Sequence, residues 1–315
     1  MNFVIQMKND FNMSRVNLAS FSMEDIFTFI ATLQAEMNRL QCQAEELSPL
    51  VLESIEKCGI SEGMRVVDVG CGTGQVSFLI SKTVGPRGAV IGIDANPTAI
   101  ELCRNIATTE GFKNVSFIVG NACDMSHDLP DNSIDISYSR FLLTHLEDPL
   151  AVIREMIRVT RREGMIMIED CDLTHWVVEP YDRSVSQLWK WYSSIIMKNG
   201  GDPSLGRKLY GMFIHQRLNP KVDVYSLPVT RYNRKMWNSI IEVLEEIDKN
   251  RNGDDILNRG DGRYSDSNRG SGDSKRETER SFELRDLVNG LSSFSRDETS
   301  LFVFPLIFRV WARKT

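Results

Sequence analysis

Val66-Val67-Asp68-Val69-Gly70-Cys71-Gly72-Thr73-Gly74 is the stretch that decides the fold. A short, mostly apolar run reads as a buried strand, three glycines alternate directly behind it, and Gln75 to Val84 continues as helix. Glycine permits positive φ, and bare backbone lets a ligand lie against a helix N-terminus. A dinucleotide turn of the form G-x-G-x-x-G requires glycine at position 75, where Gln75 stands, so a pyrophosphate is disfavoured. About 20 residues on, Gly92-Ile93-Asp94 closes the next apolar run, placing a carboxylate where it can accept from both hydroxyls of a ribose.

Outward from that turn the chain alternates. Apolar runs at Arg65–Val69, Ala89–Ile93, Val115–Val119, Ile134–Ser139 and Met165–Glu169 are separated, in most cases, by helical patterns at Gln75–Val84, Pro97–Glu110 and Pro149–Arg162. Continuous apolar strands alternating with helices predict an α/β fold with a mostly parallel sheet covered on both faces. Residues from about 22 to 58 predict a long helix, with Ser22 as N-cap and Ile26, Phe29, Ile30, Leu33 and Met37 at helical spacing. Past Asp170 the rhythm breaks into an aromatic segment, where Val185, Leu188, Trp189, Tyr192, Ile195 and Ile196 mark an amphipathic helix. Two further strands are expected at 221–230 and 301–312. Between them, Lys249 to Arg280 is dominated by Gly, Ser, Asn, Asp and Arg and reads as a disordered insertion.

Asp68-Val69-Gly70-Cys71-Gly72-Thr73-Gly74 followed by Gly92-Ile93-Asp94 resembles the signature of class I S-adenosylmethionine (SAM)-dependent methyltransferases. Further blocks agree in order: Gly120-Asn121-Ala122, Leu129-Pro130-Asp131-Asn132-Ser133-Ile134-Asp135, and Arg158-Val159-Thr160-Arg161-Arg162-Glu163-Gly164. The resemblance covers about 60 to 170 in detail and the terminal strand more loosely. It implies a Rossmann-like, doubly wound, seven-stranded mostly parallel sheet, with residues 61–171 as the SAM-binding core. Residues 1–60 would then be a helical lid, 172–220 an inserted aromatic cap, and 221–315 the strands that complete the sheet.

For the cofactor, the resemblance implies Gly70, Cys71, Gly72 and Gly74 at the methionine side and Asp94 with Ala95 at the ribose. Asn121 and Ala122 would meet the adenine, the Ser139 backbone the methionine amino group, and Asp68 would brace the turn. Many relatives carry Asp where this chain has Asn121, and an amide oxygen can also accept from the adenine amino group.

SAM carries an already activated methyl group, so the acceptor must be held in line and water excluded, and a base is needed only where the nucleophile must lose a proton. Leu143-Thr144-His145-Leu146-Glu147-Asp148-Pro149 is similar to the small-molecule branch that includes ubiquinone and menaquinone biosynthesis methyltransferases. His145 is therefore a candidate base, or else a residue that fixes the turn before Pro149. Arg140 could hold an anionic acceptor, or pair with a carboxylate of the N-terminal helix. Trp176, Tyr181, Trp189, Trp191, Tyr192, Phe213 and Trp237 suggest an acceptor pocket with apolar walls, although Trp189 and Tyr192 lie on the buried stripe. Glu169, Asp170 and Asp172 resemble a hard-cation cluster, but successive strand residues face opposite ways, and no metal is expected.

Composition narrows the class. The chain has 315 residues, Lys+Arg 37 against Asp+Glu 43, net charge −6 and 42% hydrophobic residues. An acidic protein without an Asn/Asp-Pro-Pro-aromatic element after the fourth strand is a poor candidate for nucleic-acid methylation. Cys42, Cys58, Cys71, Cys103, Cys123 and Cys171 form no C-x-x-C pair, as expected of reduced thiols in a cytoplasmic protein. No stretch reaches the roughly 20 apolar residues of a membrane span. The expected function is methyl transfer from SAM to a small, partly apolar metabolite at O, N or C, in a protein free to form a homo-oligomer. A catalytically silent SAM-binding regulatory module and a protein methyltransferase are the alternatives.

Overall fold

The computed structural model describes residues 23–230, 233–257 and 273–315. Helix α1 (Met23–Cys58) is followed by β1 (Arg65–Val69), α2 (Gln75–Val84), β2 (Ala89–Asp94), α3 (Pro97–Thr109), β3 (Val115–Val119) and β4 (Ile134–Arg140). A 3-10 turn at Leu143–His145 leads to α4 (Pro149–Val159), β5 (Thr160–Asp172), β6 (Val177–Glu179), α5 (Arg183–Lys198) and α6 (Leu205–His215). The chain ends with β7 (Lys221–Tyr225), β8 (Pro228–Val229), α7 (Lys235–Leu257), α8 (Asp273–Arg296), β9 (Leu301–Val303) and β10 (Leu306–Arg313).

The main sheet has seven strands in the order β3-β2-β1-β4-β5-β10-β7. The first five run parallel, and β10 is antiparallel to both β5 and β7. That is the doubly wound, mostly parallel sheet expected of the sequence. On one face Val51, Ile55 and Cys58 of α1 and Ile80 and Val84 of α2 cover Val66, Val90, Ile136, Tyr138, Met165 and Met167. On the other, Val152, Ile153 and Met156 of α4 and Leu205, Leu209 and Phe213 of α6 cover Val67, Val69, Ile93, Ile166, Ile168 and Val310. Each such side chain, removed from water, contributes on the order of 1.5–3 kcal/mol.

Helix starts follow local chemistry. Asn96 caps α3 by accepting from the N–H groups of Thr98 (2.9 Å) and Ala99 (3.4 Å), with Pro97 behind it. Asp148 caps α4 by accepting from the Ala151 N–H (3.0 Å), with Pro149 first in the helix.

The chain divides into two compact units. One comprises residues up to Gln43, Val178–Trp191 and Val229–Phe302; the other comprises Ala44–Val177, Tyr192–Pro228 and Val303–Thr315. These units do not follow the expected divisions at 60, 171 and 220. Within the span expected as a lid, Leu47, Val51, Ile55 and Cys58 are core residues of the sheet unit. Within the expected cap, α6 is a covering layer of the sheet, since Phe213 is fully buried there. In the other unit Trp237 packs on Phe294 and Phe302, and Trp189 stacks on Phe302 at 5.7 Å, so both are core rather than pocket wall.

The expected disordered insertion is also corrected at its ends. Residues 249–257 continue α7 and residues 273–280 begin α8, while 258–272 lie outside the described residues. Further along, Val243, Leu244 and Ile247 of α7 and Leu284, Leu287 and Leu291 of α8 are buried, and the apolar stripes that define both helices lie outside the polar stretch. A three-stranded sheet, β6-β9-β8, was not foreseen, because strands of two or three residues carry no readable alternation. No helix among the described residues is long and apolar enough to cross a membrane.

Candidate functional site

The glycine turn leaves β1 at the carboxyl edge of the sheet. Gly70, Gly72 and Gly74 all take positive φ (76°, 56° and 80°), a region L side chains avoid. Their surroundings differ. A Cβ on Gly70 would meet Leu142, and one on Gly74 would meet Cys103, Phe78 and Phe117, all at 2.9–3.1 Å. A Cβ on Gly72 would meet nothing within 4 Å, so Gly72 presents bare backbone to open space. Helix α2 starts at Gly74 without a side-chain cap from that residue and without an acidic residue in its first turn, and the Ser77 amide of that turn is met by Asp68.

Asp94 ends β2 beside this turn. One carboxylate oxygen accepts from the Gly72 N–H (3.0 Å) and the other from the Asn96 N–H (2.9 Å). A carboxylate offers about four acceptor positions, so two stay open for hydroxyl donors. Burial raises its pKa, although both amides oppose that shift. Ala95 lies between Asp94 and Asn96, at the strand-to-helix junction. Asp68 lies beneath the turn, only 2% exposed, and accepts from the Ser77 hydroxyl of α2 at 2.6 Å. It braces turn to helix, and burial pushes its pKa up to about 6. Cys71 is buried against Phe78, Cys103 and Phe117, inside the wall of the turn.

Asn121 follows β3. Its side-chain oxygen accepts from the Cys123 N–H (3.0 Å), shaping its own loop, which leaves one oxygen lone pair for a donor such as an exocyclic amine. Ala122 packs against the core beside it. Ser139 lies opposite Val69, the residue before Gly70, and its hydroxyl donates to the Val69 carbonyl at 2.9 Å. Strand β4 is thereby pinned to the strand that carries the turn.

The two catalytic candidates are anchored separately. His145 ends the 3-10 turn, with its ring centroid 6.3 Å from that of Tyr192. The turn is fixed by Asp170, which accepts from the Thr144 N–H (3.0 Å) and the Thr144 hydroxyl. Burial raises the pKa of Asp170 to about 6. Among the described residues, Arg140 pairs with no carboxylate of the N-terminal helix. Its carboxylate partner is Glu169 of β5 (3.3 Å), while Glu53 of α1 pairs with Arg309 (3.1 Å).

Glu169 lies on the opposite face of β5 from Asp170 and Asp172, and each of the three is taken up by separate protein donors. Asp170 holds Thr144, and Asp172 holds Arg207 and Thr174. Glu169, fully buried, accepts from Ser54 (2.6 Å), Tyr225 (2.8 Å), Arg309 (2.6 Å), Tyr138 and Arg140. Burial alone would raise its pKa; the Arg140 and Arg309 charges and the hydroxyl donors outweigh burial and hold it below the ordinary carboxylate value. Ser54, Tyr138, Tyr225 and Arg309 were not singled out in the sequence. The available signal was a charge inside an apolar strand, Glu169 behind Met165–Ile168 and Arg309 within Leu306–Ala312, since such a charge requires a buried partner.

A model of the family described as a methyltransferase domain matches residues 60–215. These residues are a class I SAM-dependent methyltransferase domain. Demethylmenaquinone methyltransferase of Listeria monocytogenes is 33% identical over 118 residues, 38% of this chain and 49% of that protein. An uncharacterized methyltransferase of Schizosaccharomyces pombe is 33% identical over 156 residues, 48% of this chain and 55% of that protein. The chain thus spans about half the length of these curated relatives. Among solved structures, the YcgJ protein of Bacillus subtilis superposes with a TM-score of 0.52 at 20% identity, covering 84% of this chain and 98% of that one. That likeness speaks to the fold alone.

Proposed function

We propose that the protein transfers a methyl group from SAM to a small, partly apolar metabolite. The observation that carries this is Asp94 at the end of β2, its carboxylate held by the Gly72 amide with two acceptor positions open beside a turn of three positive-φ glycines. The residues fit the cofactor: bare backbone at Gly72, a helix start at Gly74 without an acidic first turn, and a ribose-competent carboxylate. Bound there, SAM supplies an electrophilic methyl group on a sulfonium.

The chain's own part is to hold and exclude. Asp94 binds and orients the ribose, and Asn121 and Ala122 border the adenine. Leu142, packed over Gly70, closes the turn against water from the β4 side. His145, held by the Thr144–Asp170 pair, is placed on the same β4-to-α4 segment and takes a proton where the acceptor is a hydroxyl. An amine, thiol or carbanion acceptor needs no such base. The acceptor is a small molecule rather than a nucleic acid, in keeping with the net charge of −6, and a cytoplasmic setting agrees with six cysteines that form no C-x-x-C pair.

The test is isothermal calorimetry with SAM and S-adenosylhomocysteine, followed by incubation of a metabolite extract with methyl-labelled SAM. Binding of both ligands and label in one small-molecule fraction are expected. Absence of SAM binding, or label confined to protein or nucleic acid, overturns the proposal.

A further inference from the structure

Four charged residues lie side by side across four adjacent strands. Arg140 of β4 is opposite Glu169 of β5, Glu169 is opposite Arg309 of β10, and Arg309 is opposite Asp223 of β7. Register partners project to one face of a sheet, so signs alternate along a single row. The row is unevenly matched. Arg309 has Glu169 at 2.6 Å, Glu53 at 3.1 Å, Asp223 at 3.6 Å and the Leu50 carbonyl at 3.1 Å. Arg140 has a single carboxylate within ion-pair distance among the described residues, Glu169, and the 3.3 Å bond to it is the longest that Glu169 accepts.

Glu169 already receives Ser54, Tyr138, Tyr225 and Arg309, about as many donors as a carboxylate has acceptor positions. The Arg140 side chain is only 6% exposed, yet its Nη2 is buried with no hydrogen-bond partner among the described residues. An unpaired N–H of a buried guanidinium is costly, and such a group calls for an explanation.

Its place supplies one. Arg140 closes β4 one residue past Ser139, the partner of Val69 at the foot of the glycine turn, and Leu142 two residues on covers Gly70. The side chain is held in position by Glu169 and by the Phe141 ring, 4.7 Å from the guanidinium carbon. Phe141 itself takes φ +53°, an uncommon conformation for an aromatic residue, and its N–H is bonded to the Glu169 carbonyl at 2.9 Å.

We propose that Arg140, through Nη2, binds a carboxylate-class oxygen of a small molecule seated at the glycine turn, with Glu169 as the positioning residue that holds the guanidinium in place. The oxygen belongs to the methionyl carboxylate of the cofactor or to an anionic acceptor. This rests on the SAM reading above. It gives the row a purpose: Arg309 is neutralised from within by three carboxylates, and Arg140 keeps one donor for an external anion.

The experiment uses the full chain and pairs a protein variant with a ligand variant. SAM and decarboxylated SAM are titrated into wild type, Arg140→Met and Arg140→Lys by calorimetry; benzoate is then titrated into each protein saturated with S-adenosylhomocysteine. If the cofactor carboxylate is held, wild type prefers SAM over decarboxylated SAM by about tenfold or more, and that ratio collapses towards one in Arg140→Met. If an acceptor anion is held, the SAM ratio is unaffected by substitution, while wild type binds benzoate and Arg140→Met does not. Arg140→Lys keeps the charge and should retain part of either effect. The proposal is overturned if wild type neither discriminates the two cofactors nor binds benzoate, or if Arg140→Met leaves both properties unchanged. The wild-type comparison stands even where Arg140→Met fails to fold. Failure of the SAM reading shows separately, as no binding of SAM to wild type; benzoate titrated into the unliganded chain then decides the Arg140 proposal.

Discussion

At the turn, two glycines with similar backbone angles should respond differently to the same substitution. Alanine at a left-handed position is disfavoured by about 1–2 kcal/mol wherever it is placed. At Gly72 the added methyl meets no protein atom, so Gly72→Ala should lose about that much stability while SAM affinity falls at least tenfold, because the methyl projects into the space assigned to the cofactor. At Gly74 it meets Cys103, Phe78 and Phe117 at 2.9–3.1 Å, and Gly74→Ala should lose a further 1–3 kcal/mol from overpacking. Thermal melts with and without SAM separate the two; equal stability losses in both variants would refute the assignment of their surroundings. Asp68 makes a second residue-scale case. Its folded-state pKa is raised to about 6, against about 4 in an unfolded chain, so it favours folding fully below pH 4 and that contribution is lost as pH rises to 6. Wild type should therefore lose about 3 kcal/mol relative to Asp68→Asn between pH 4 and pH 6, then run parallel to it. Denaturant midpoints across that range check the sign.

Elements in this protein were legible in proportion to how local their signal is. The five parallel strands show as apolar runs of five or six residues bounded by caps, and the caps at Asn96 and Asp148 do what their residue types suggest. Strand β5 was foreseen only as Met165–Glu169 although it runs Thr160–Asp172, because Arg161, Arg162 and Glu163 are exposed at its start and give no apolar pattern. The candidate cofactor residues could be named from the sequence because a turn, a strand end and a helix start are contiguous there. The buried ion row was not, since Glu169 and Arg309 lie 140 positions apart and nothing local pairs them. That row makes its own prediction. Glu169→Gln keeps shape but removes the anion between two buried guanidiniums, so stability should fall by about 3–5 kcal/mol. Because the carboxylate's folded pKa lies below its ordinary value, its contribution is present above about pH 4.5 and is lost as pH falls through the folded value. The difference between wild type and Glu169→Gln should therefore shrink in acid, and a difference that grows on acidification would contradict the assigned charge state.

Over the whole molecule, the last strand to be made is an interior one. Strand β10 lies between β5 and β7, pairing Leu306–Arg313 against Asp172–Met165, and it brings Ile307, Val310 and Ala312 into the buried layers. It also carries Arg309, which reaches Glu169 and the α1 residues Leu50 and Glu53, so a single strand joins sheet, helix and ion row. The β5–β10 pairing, made across more than a hundred positions, closes the longest loop between paired strands of the main sheet and is expected to form late. A chain ended at Ser300 should therefore keep the β1–α2–β2 sequence intact yet lack the partner that buries β5, leaving Glu169 with Arg140 as its remaining guanidinium. Such a chain should show no cooperative thermal transition and no SAM binding, whereas a chain ended at Lys314 keeps the Nζ bonds to Asn132 (2.8 Å) and the Thr160 carbonyl (2.7 Å) and should melt like the full length. Circular dichroism melts of the two truncations, each with and without SAM, decide the matter. A cooperative, ligand-responsive transition in the shorter chain would show that the parallel half of the sheet is self-sufficient and that β10 only seals its edge.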